Sequence, residues 1–199
     1  SASGIFMTFG GSSAKASISN CKLYDNRCGI NVYAVTGEWD PSSSDTVLIS
    51  GCLIYANQGA GIVVQSNTHQ YGFAVAYMLA KISNCTVTNN TGIGVSVYAY
   101  RRAWADAALM NSIVTQNGQY GIANGSAGYV QASNLSYNCF RGNSSGNFSG
   151  ISIPPGFGGP GAYQNANGDS CDLNFNIYFN PLFVNPVTSD FRLQDTSKC

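Results

Sequence analysis

The side chains best suited to chemistry gather in three stretches of the sequence, residues 36–46, 66–77 and 101–108. These stretches contain the only glutamate, the only histidine, both tryptophans and the only adjacent pair of arginines. The candidates are Glu38, Trp39, Asp40, His69, Tyr71, Arg101, Arg102, Trp104 and Asp106. Aromatic rings stack on sugar faces while charged groups hydrogen-bond to hydroxyls, so this set predicts a groove that binds saccharides, with Trp39, Tyr71 and Trp104 as its binding residues.

Two reactions fit these residue types. A uronate lyase or epimerase would use Arg101 or Arg102 to neutralise the substrate carboxylate, and His69 or another base to take the neighbouring proton. A glycoside hydrolase would need two carboxylic acids about 5–10 Å apart, for which Glu38, Asp40 and Asp106 are the candidates.

A structural role for the same residues is the competing hypothesis, and the sequence favours it. The repeats described below carry no clusters of Asp and Lys, and no string of carboxylates suited to calcium. A lone histidine in a loop is often an ordinary surface residue, and aromatic rings on adjacent loops can pack on each other or on a second subunit. The sequence therefore predicts no particular catalytic residue, no metal and no cofactor.

The elements that must position these stretches are copies of one nine-residue pattern. The copies are ISNCKLYDN (18–26), ISGCLIYAN (49–57), ISNCTVTNN (82–90), LMNSIVTQN (109–117) and VQASNLSYN (130–138), with a faint last copy, DLNFNIYFN (172–180). The first five begin 31, 33, 27 and 21 residues apart. Recurrence at about 20–50 residues is typical of a solenoid, in which each repeat forms one coil.

The pattern also predicts which side chains point inward, counting the first residue of each copy as offset 0. Successive side chains of a flat strand point to opposite faces, so odd and even offsets cannot all point inward along one strand. Offsets 3 and 5 are odd and offsets 0 and 8 are even, so the chain must turn a corner on each side of the 3–5 pair. Four inward rows are then expected, with successive residues of each row about 4.8 Å apart. They are an aliphatic row at offset 0 (Ile18, Ile49, Ile82, Leu109, Val130), a row of small residues at offset 3 (Cys21, Cys52, Cys85, Ser112, Ser133), a second apolar row at offset 5 (Leu23, Ile54, Val87, Val114, Leu135) and a hydrogen-bonded asparagine ladder at offset 8 (Asn26, Asn57, Asn90, Asn117, Asn138).

Most copies continue into a second strand that begins with Gly-Ile or Gly-Val, as at Gly29, Gly61, Gly94 and Gly121. This arrangement resembles the right-handed parallel β-helix proteins, the pectate-lyase-like solenoids found on bacterial and archaeal cell surfaces. The segment from Asn180 to Gln194 resembles the closing segment of many such proteins. The resemblance implies an all-β right-handed parallel β-helix with an irregular Gly/Pro-rich C-terminal segment. It leaves function open, because the fold hosts lyases, epimerases, tailspikes, adhesins and structural proteins.

The sequence predicts one domain over residues 1–199. Residues 1–17 are expected to form a partial first coil, which would leave that end of the solenoid open, and residues 18–138 the regular coils. Residues 139–171, rich in Gly, Ser, Asn and Pro, are expected to form a long loop or cap, because proline cannot donate to a central ladder. Residues 172–199 are expected to return to extended strands.

Composition narrows the classes of partner. The formal net charge is zero and only 9% of residues are charged, so no basic face for nucleic acid is expected. No apolar run reaches the length needed to span a membrane. The low charge and an exposed solenoid edge predict association with copies of the same chain.

Cysteines and sequons indicate an extracellular or cell-surface location. Seven cysteines suit an oxidising compartment. Cys21, Cys52 and Cys85 are expected to be a buried reduced row, and a disulfide is expected between two of Cys139, Cys171 and Cys199. Six asparagines stand in glycosylation sequons: Asn84, Asn89, Asn124, Asn134, Asn143 and Asn147.

These features support two hypotheses. In the first, the protein is an extracellular structural or adhesive β-solenoid that associates with itself in a surface filament, sheath or coat, carrying covalent glycans or binding polysaccharide. In the second, it is a polysaccharide-active β-helix, either a uronate lyase or epimerase or a carbohydrate-binding fragment.

Overall fold

A computed structural model describes residues 2–71, 73–125, 128–161 and 163–199. Its strands wind into a right-handed parallel β-solenoid, which confirms the predicted fold class. Each coil contributes one strand to each of three parallel sheets: sheet A with six strands, and sheets B and C with five each. Among the described residues the two helices are three-residue 3-10 turns, and neither could span a membrane.

The strands follow one another in the same order in every coil. Coil 1 consists of β1 (Ser3–Gly10), β2 (Lys15–Ser19) and β3 (Lys22–Tyr24), and coil 2 of β4 (Cys28–Thr36), β5 (Ser43–Ser50) and β6 (Leu53–Tyr55). Coil 3 consists of β7 (Ile62–Thr68), β8 (Ala76–Ser83) and β9 (Thr86–Thr88), and coil 4 of β10 (Val95–Tyr100), β11 (Trp104–Met110) and β12 (Ile113–Thr115). Coil 5 consists of β13 (Tyr120–Asn124), a 3-10 turn (Ala132–Asn134), β14 (Leu135–Ser136) and β15 (Cys139–Arg141).

The last part of the chain is less regular. Strand β16 (Gly146–Ser149) adds a sixth strand to sheet A. It is followed by β17 (Tyr163–Gln164), β18 (Ser170–Cys171), β19 (Phe183–Asn185), a 3-10 turn (Pro186–Thr188) and β20 (Asp190–Leu193). The coils thus continue through β15 and β16, beyond the boundary at residue 138 that the sequence indicated.

The corners on each side of sheet C are single residues in the left-handed region. With coil 5 counted from Leu135, which pairs with Leu109, a positive φ occurs at offset 2 in Asn20, Gly51, Asn84, Asn111 and Tyr137, and at offset 7 in Asp25, Ala56, Asn89, Gln116 and Gly142. Asn, Asp and Gly tolerate this conformation best. These two corners let offsets 0, 3, 5 and 8 all point inward, as the parity of the repeat predicts.

The asparagine ladder is confirmed at four of its five predicted members. Each side-chain amide donates to the carbonyl oxygen of the next: Asn26 to Asn57 (3.2 Å), Asn57 to Asn90 (2.8 Å) and Asn90 to Asn117 (3.0 Å). Backbone packs closely against the row, since a Cβ on Gly61 would lie 2.9 Å from Asn90 Nδ2. This contact explains why the strand after the ladder begins with glycine.

The register predicted for the fifth copy is wrong. Asn117 donates to Asn143 (2.9 Å), not to Asn138, and Leu135, not Val130, pairs with Leu109 in the aliphatic row. Asn138 instead follows Ser112 in the row of small residues, where Ser133 was expected, and its Oδ1 accepts from Ser112 N (3.0 Å). The cause is the extra 3-10 turn at Ala132–Asn134, which adds residues before Leu135, so that the equivalent positions of coil 5 come later in the chain than predicted.

The row of small residues contains Cys21, Cys52 and Cys85 as free thiols. Cys52 and Cys85 are buried and Cys21 is half-buried. Burial raises the pKa of the Cys85 thiol to about 12 and raises that of Cys52 as well. Cys28, outside this row, is also buried, and burial raises its pKa to about 11.

We expect thiol labelling to separate these cysteines. Without denaturant at neutral pH, an aromatic disulfide reagent should modify Cys21 first and leave Cys28, Cys52 and Cys85 unmodified, because a buried protonated thiol is a poor nucleophile. In denaturant all five free thiols should react. Mass spectrometry of labelled peptides measures the order, and labelling of Cys85 as fast as Cys21 would contradict the buried row.

The C-terminal segment covers two surfaces of the solenoid. Phe157 packs on Phe148, which packs on Phe140, and these rings lie at the end beyond coil 5. The antiparallel pair β19 and β20 folds back over sheet C, where Phe191 packs on Tyr55. A disulfide joins Cys139 to Cys199, which confirms that two of the last three cysteines pair.

The six sequon asparagines have different surroundings. Asn84 and Asn89 are exposed corner residues. Asn124, Asn134 and Asn147 are half-buried and hydrogen-bonded. Asn143 is buried in the ladder, and its Nδ2, the atom that a glycan would modify, donates to Val114 O (3.0 Å) and Asn147 Oδ1 (3.1 Å), so a glycan there would break both bonds.

Candidate functional site: the loop flank

The turns between sheets A and B lie side by side along one flank of the solenoid. We call residues 37–42, 69–71, 73–75 and 101–103 the loop flank. His69 N donates to Thr36 O (2.9 Å), Val75 N donates to Ser42 Oγ (2.9 Å), and Arg101 Nη1 donates to Thr68 O (2.9 Å). The three stretches predicted to carry chemistry are therefore neighbours, although β5, β7, β8 and β11 take up much of their length.

Strands position this flank because each turn joins a strand of sheet A to a strand of sheet B, and both strands pair with the equivalent strands of neighbouring coils. Ser43 and Ser44 pair with Ala76 and Tyr77, and Tyr77 pairs with Trp104. The rungs of a parallel sheet are about 4.8 Å apart, so equivalent turns on consecutive coils are separated by the same distance. The flank is thus a row of turns with a fixed spacing.

The acidic candidates at the first turn have different roles. Asp40 Oδ2 accepts a hydrogen bond from Gly37 N (2.6 Å), which closes the turn on itself. A Cβ on Gly11, in the preceding coil, would lie 3.4 Å from the same carboxylate. Asp40 therefore organises the turn, whereas Glu38 is exposed beside it.

The basic candidates lie on the next two turns. His69 Nδ1 accepts from Tyr71 N (3.4 Å), and the two rings are 5.9 Å apart between centroids. Arg101 adopts a positive φ of 62° and uses its guanidinium to hold Thr68 O. Arg102 is exposed. His69 and Arg101 each hydrogen-bond to the preceding turn, at Thr36 O and Thr68 O. Arg102 has no such bond among the described residues, so its guanidinium is the best candidate of the three for binding an anion.

Asp106 does not face the turns. It lies on the outer face of sheet B, paired with Leu79 in β8, with Trp104 two residues earlier on the same face. Asn134 Nδ2 lies 3.4 Å from both of its carboxylate oxygens. Burial raises the pKa of the Asp106 carboxyl, and the hydrogen bonds to Ala107 and Asn134 partly oppose that rise.

The structure brings the acidic candidates to different surfaces. Glu38 and Asp40 occupy the turn of coil 2, whereas Asp106 lies on a strand of coil 4, about two rungs or 10 Å further along the solenoid. A water molecule fits between two carboxyls at such a separation, but these carboxyls are on different faces. They do not form a matched acid and base pair.

Exposed aromatic rings lie on the first two turns and at the start of the strand that follows the third turn. Trp39 and Phe73 are each 89% exposed, Tyr71 is 69% exposed and Trp104 is 51% exposed. Tyr129 contacts Trp104 edge to face, with centroids 6.2 Å apart, and extends the row to coil 5. Sequence analysis missed Tyr129 because the coil around it departs from the repeat.

Comparison with known proteins identifies the fold. A family model described as "Right handed beta helix region" matches residues 1–140. No curated protein and no solved structure matches the chain.

Proposed function

The chain belongs to the right-handed β-helix family, and from this premise we propose that it is an extracellular structural or adhesive β-solenoid whose loop flank binds a saccharide. The observation that carries the proposal is a group of exposed rings along this side of the solenoid: Trp39 on the first turn, Tyr71 and Phe73 on the second, and Trp104 at the start of β11, next to the third. Exposed rings on neighbouring coils suit stacking on the sugars of an extended chain. Glu38 and Arg102 lie beside them and can hydrogen-bond to hydroxyl or carboxylate groups.

Several features support an adhesive rather than a catalytic role. Asp40 closes its own turn, and Arg101 holds the neighbouring turn. These contacts stabilise the flank and leave its rings exposed. The disulfide between Cys139 and Cys199 is compatible with an oxidising, extracellular location.

Self-association in a filament, sheath or coat is part of the proposal. Sheet B exposes apolar side chains on its outer face, including Leu48 and Met110, each 48% exposed. The low fraction of charged residues provides little repulsion between copies. Sedimentation velocity at micromolar concentration tests this part, and a stable monomer over the whole accessible range would contradict it.

We expect the double substitution Trp39→Ala with Trp104→Ala to weaken saccharide binding by about tenfold or more, because each ring that stacks on a sugar contributes on the order of 1 kcal/mol. A glycan array identifies the ligand, and titration calorimetry then measures the dissociation constants of the two proteins.

The matched control for this experiment is Tyr163→Ala, which removes an exposed ring of the C-terminal segment, away from the loop flank. It should bind as the unsubstituted protein does. Binding that survives the double substitution would show that the flank is not the saccharide site.

A uronate lyase or epimerase is the second candidate, and one observation favours it. Asp106 is a half-buried carboxyl of raised pKa beside Trp104, and perturbed carboxyls of this kind are frequent among catalytic acids and bases. Incubation with uronate polymers, followed by ultraviolet absorbance of unsaturated products or by proton exchange at the epimerised carbon, tests both reactions. Turnover that is lost in His69→Ala or Asp106→Asn, and kept in the exposed control Asp195→Asn, would replace the adhesive proposal.

A further inference from the structure

Behind the loop flank, the interior of coils 2 and 3 contains a group of buried oxygen atoms. They form no hydrogen bond with any residue that the structure describes. They belong to one carboxylate and four hydroxyl groups: Thr36 Oγ1, Ser43 Oγ, Asp45 Oδ2, Ser66 Oγ and Thr68 Oγ1. Each of these residues is at most 4% exposed.

The strand register places these residues together. Thr36 in β4 pairs with Thr68 in β7, and Ser66 lies two residues before Thr68 on the same inward face. Ser43 and Asp45 occupy consecutive inward positions of β5. The turn of residues 37–42 joins Thr36 directly to Ser43, so the two strands converge at this end of the interior.

The carboxylate of Asp45 is held in place by its other oxygen. Asp45 Oδ1 accepts a hydrogen bond from Ala14 N in the preceding coil (2.9 Å). This bond leaves Oδ2 inside the solenoid. Within the described part of the chain, the recorded ion pairs are Arg192 with Asp190 and Lys198 with Asp169, so neither neutralises Asp45.

Alanines fill most of the inward positions that follow along the solenoid. They include Ala76, Ala99, Ala103 and Ala105, all of which are buried. Met78 fills the inward position next to Asp45 in β8 and is fully buried. These apolar side chains offer the oxygens of the group no hydrogen-bond partner.

We propose that Asp45 Oδ2 and the four hydroxyl oxygens bind a hard monovalent cation, such as sodium, inside the solenoid. A buried carboxylate oxygen without a partner is costly, and each buried hydroxyl without one adds to that cost. Oxygen-only donors favour hard cations, and calcium sites generally supply more than one carboxylate. A single negative charge among neutral hydroxyls instead matches a single positive charge.

A cation here departs from the expectation of no metal, which rested on the lack of repeated carboxylates in the sequence. A set of one carboxylate and four hydroxyls has no sequence signature, since Ser and Thr are frequent throughout the chain. Binding would also stiffen the turn of residues 37–42, which carries Trp39, because Thr36 and Ser43 stand at its two ends.

The first test compares thermal unfolding in sodium chloride with that in tetramethylammonium chloride at equal ionic strength. Sodium should raise the melting temperature of the unsubstituted protein by about 3 °C or more, because a ligand that binds only the folded state stabilises it. Asp45→Asn keeps the size of the side chain and an oxygen for Ala14 N, and should melt at the same temperature in both salts. The control Asp195→Asn should keep the full difference.

Equal melting temperatures of the unsubstituted protein in the two salts would overturn the proposal, as would an undiminished sodium effect in Asp45→Asn. If Asp45→Asn does not fold, Ser66→Ala with Thr68→Val removes two of the oxygens and serves as the second variant.

Crystals grown with rubidium or thallium(I) provide a direct test. An anomalous peak beside Asp45 Oδ2 is expected, and ordered water alone at that position would overturn the cation.

Discussion

Replacing Asn90 with leucine should lower the free energy of unfolding by at least about 3 kcal/mol, because several buried polar groups lose their partner at once. Asn90 Oδ1 accepts from both the backbone N and the side-chain Nδ2 of Asn57 (3.1 and 2.8 Å). Asn90 Nδ2 donates to Asn117 Oδ1 (3.0 Å) and to Ile54 O (3.2 Å). Leucine has a similar size but satisfies none of these four groups. Urea unfolding followed by circular dichroism measures the loss.

The matched control is Asn167→Leu, because Asn167 is exposed in a turn of the C-terminal segment. A surface substitution of this kind should change stability by no more than about 0.5 kcal/mol. If Asn90→Leu cost no more than this control, the ladder would not contribute to stability and the coil register would need revision.

Replacing Asp172 with leucine should lower the free energy of unfolding by about 3–5 kcal/mol, because its buried carboxylate accepts from donors on four residues. Oδ1 accepts from the backbone N of Asn174 and of Asn176 (2.9 Å each). Oδ2 accepts from Gly158 N (3.2 Å) and from Tyr178 Oη (2.6 Å). The side-chain amide of Asn176 lies 3.2 Å from both oxygens.

This carboxylate also supports the row of small residues at the end of the solenoid. Asn138 Nδ2 donates to Asn176 Oδ1 (3.0 Å), and Asn176 Nδ2 in turn reaches Asp172. The loop around Gly158 is held by the same group. Loss of the carboxylate should therefore loosen both the last coil and the loop that covers it, which hydrogen exchange measured by mass spectrometry would locate.

Two variants make this prediction specific. Tyr178→Phe removes one of the donors and should cost about 1–3 kcal/mol, less than Asp172→Leu. Burial, reinforced by the hydrogen bond to Asp172, raises the pKa of Tyr178, so its phenol stays protonated as a donor at neutral pH. Asp195→Leu changes an exposed carboxylate and should be nearly neutral. Equal losses in Asp172→Leu and Asp195→Leu would contradict the role assigned to Asp172.

The candidate site was only partly predictable. Chain order alone indicated that the three loop stretches would be neighbours, because each follows the same strand of successive coils. The orientation of individual side chains was not predictable in the same way. Asp106 belongs to β11 rather than to a turn, and strand parity places it on the outer face of sheet B. Asp40 hydrogen-bonds within its own turn, a contact that the sequence does not encode as a pattern.

By itself, the sequence determined the repeating coil: its two corners, the strand that begins with glycine after each copy, and its inward rows of aliphatic residues and asparagines. This was possible because equivalent residues stack on successive coils and meet the same packing and hydrogen-bonding requirements in each coil. The same residue types therefore recur at the same offsets. The tertiary structure decided those features that occur in only one place in the solenoid and not in every coil. The 3-10 turn at Ala132–Asn134 delays the fifth coil and places Asn143 in the ladder instead of Asn138. The unpartnered oxygens around Asp45 come together from strands of two coils, through contacts that no repeat records.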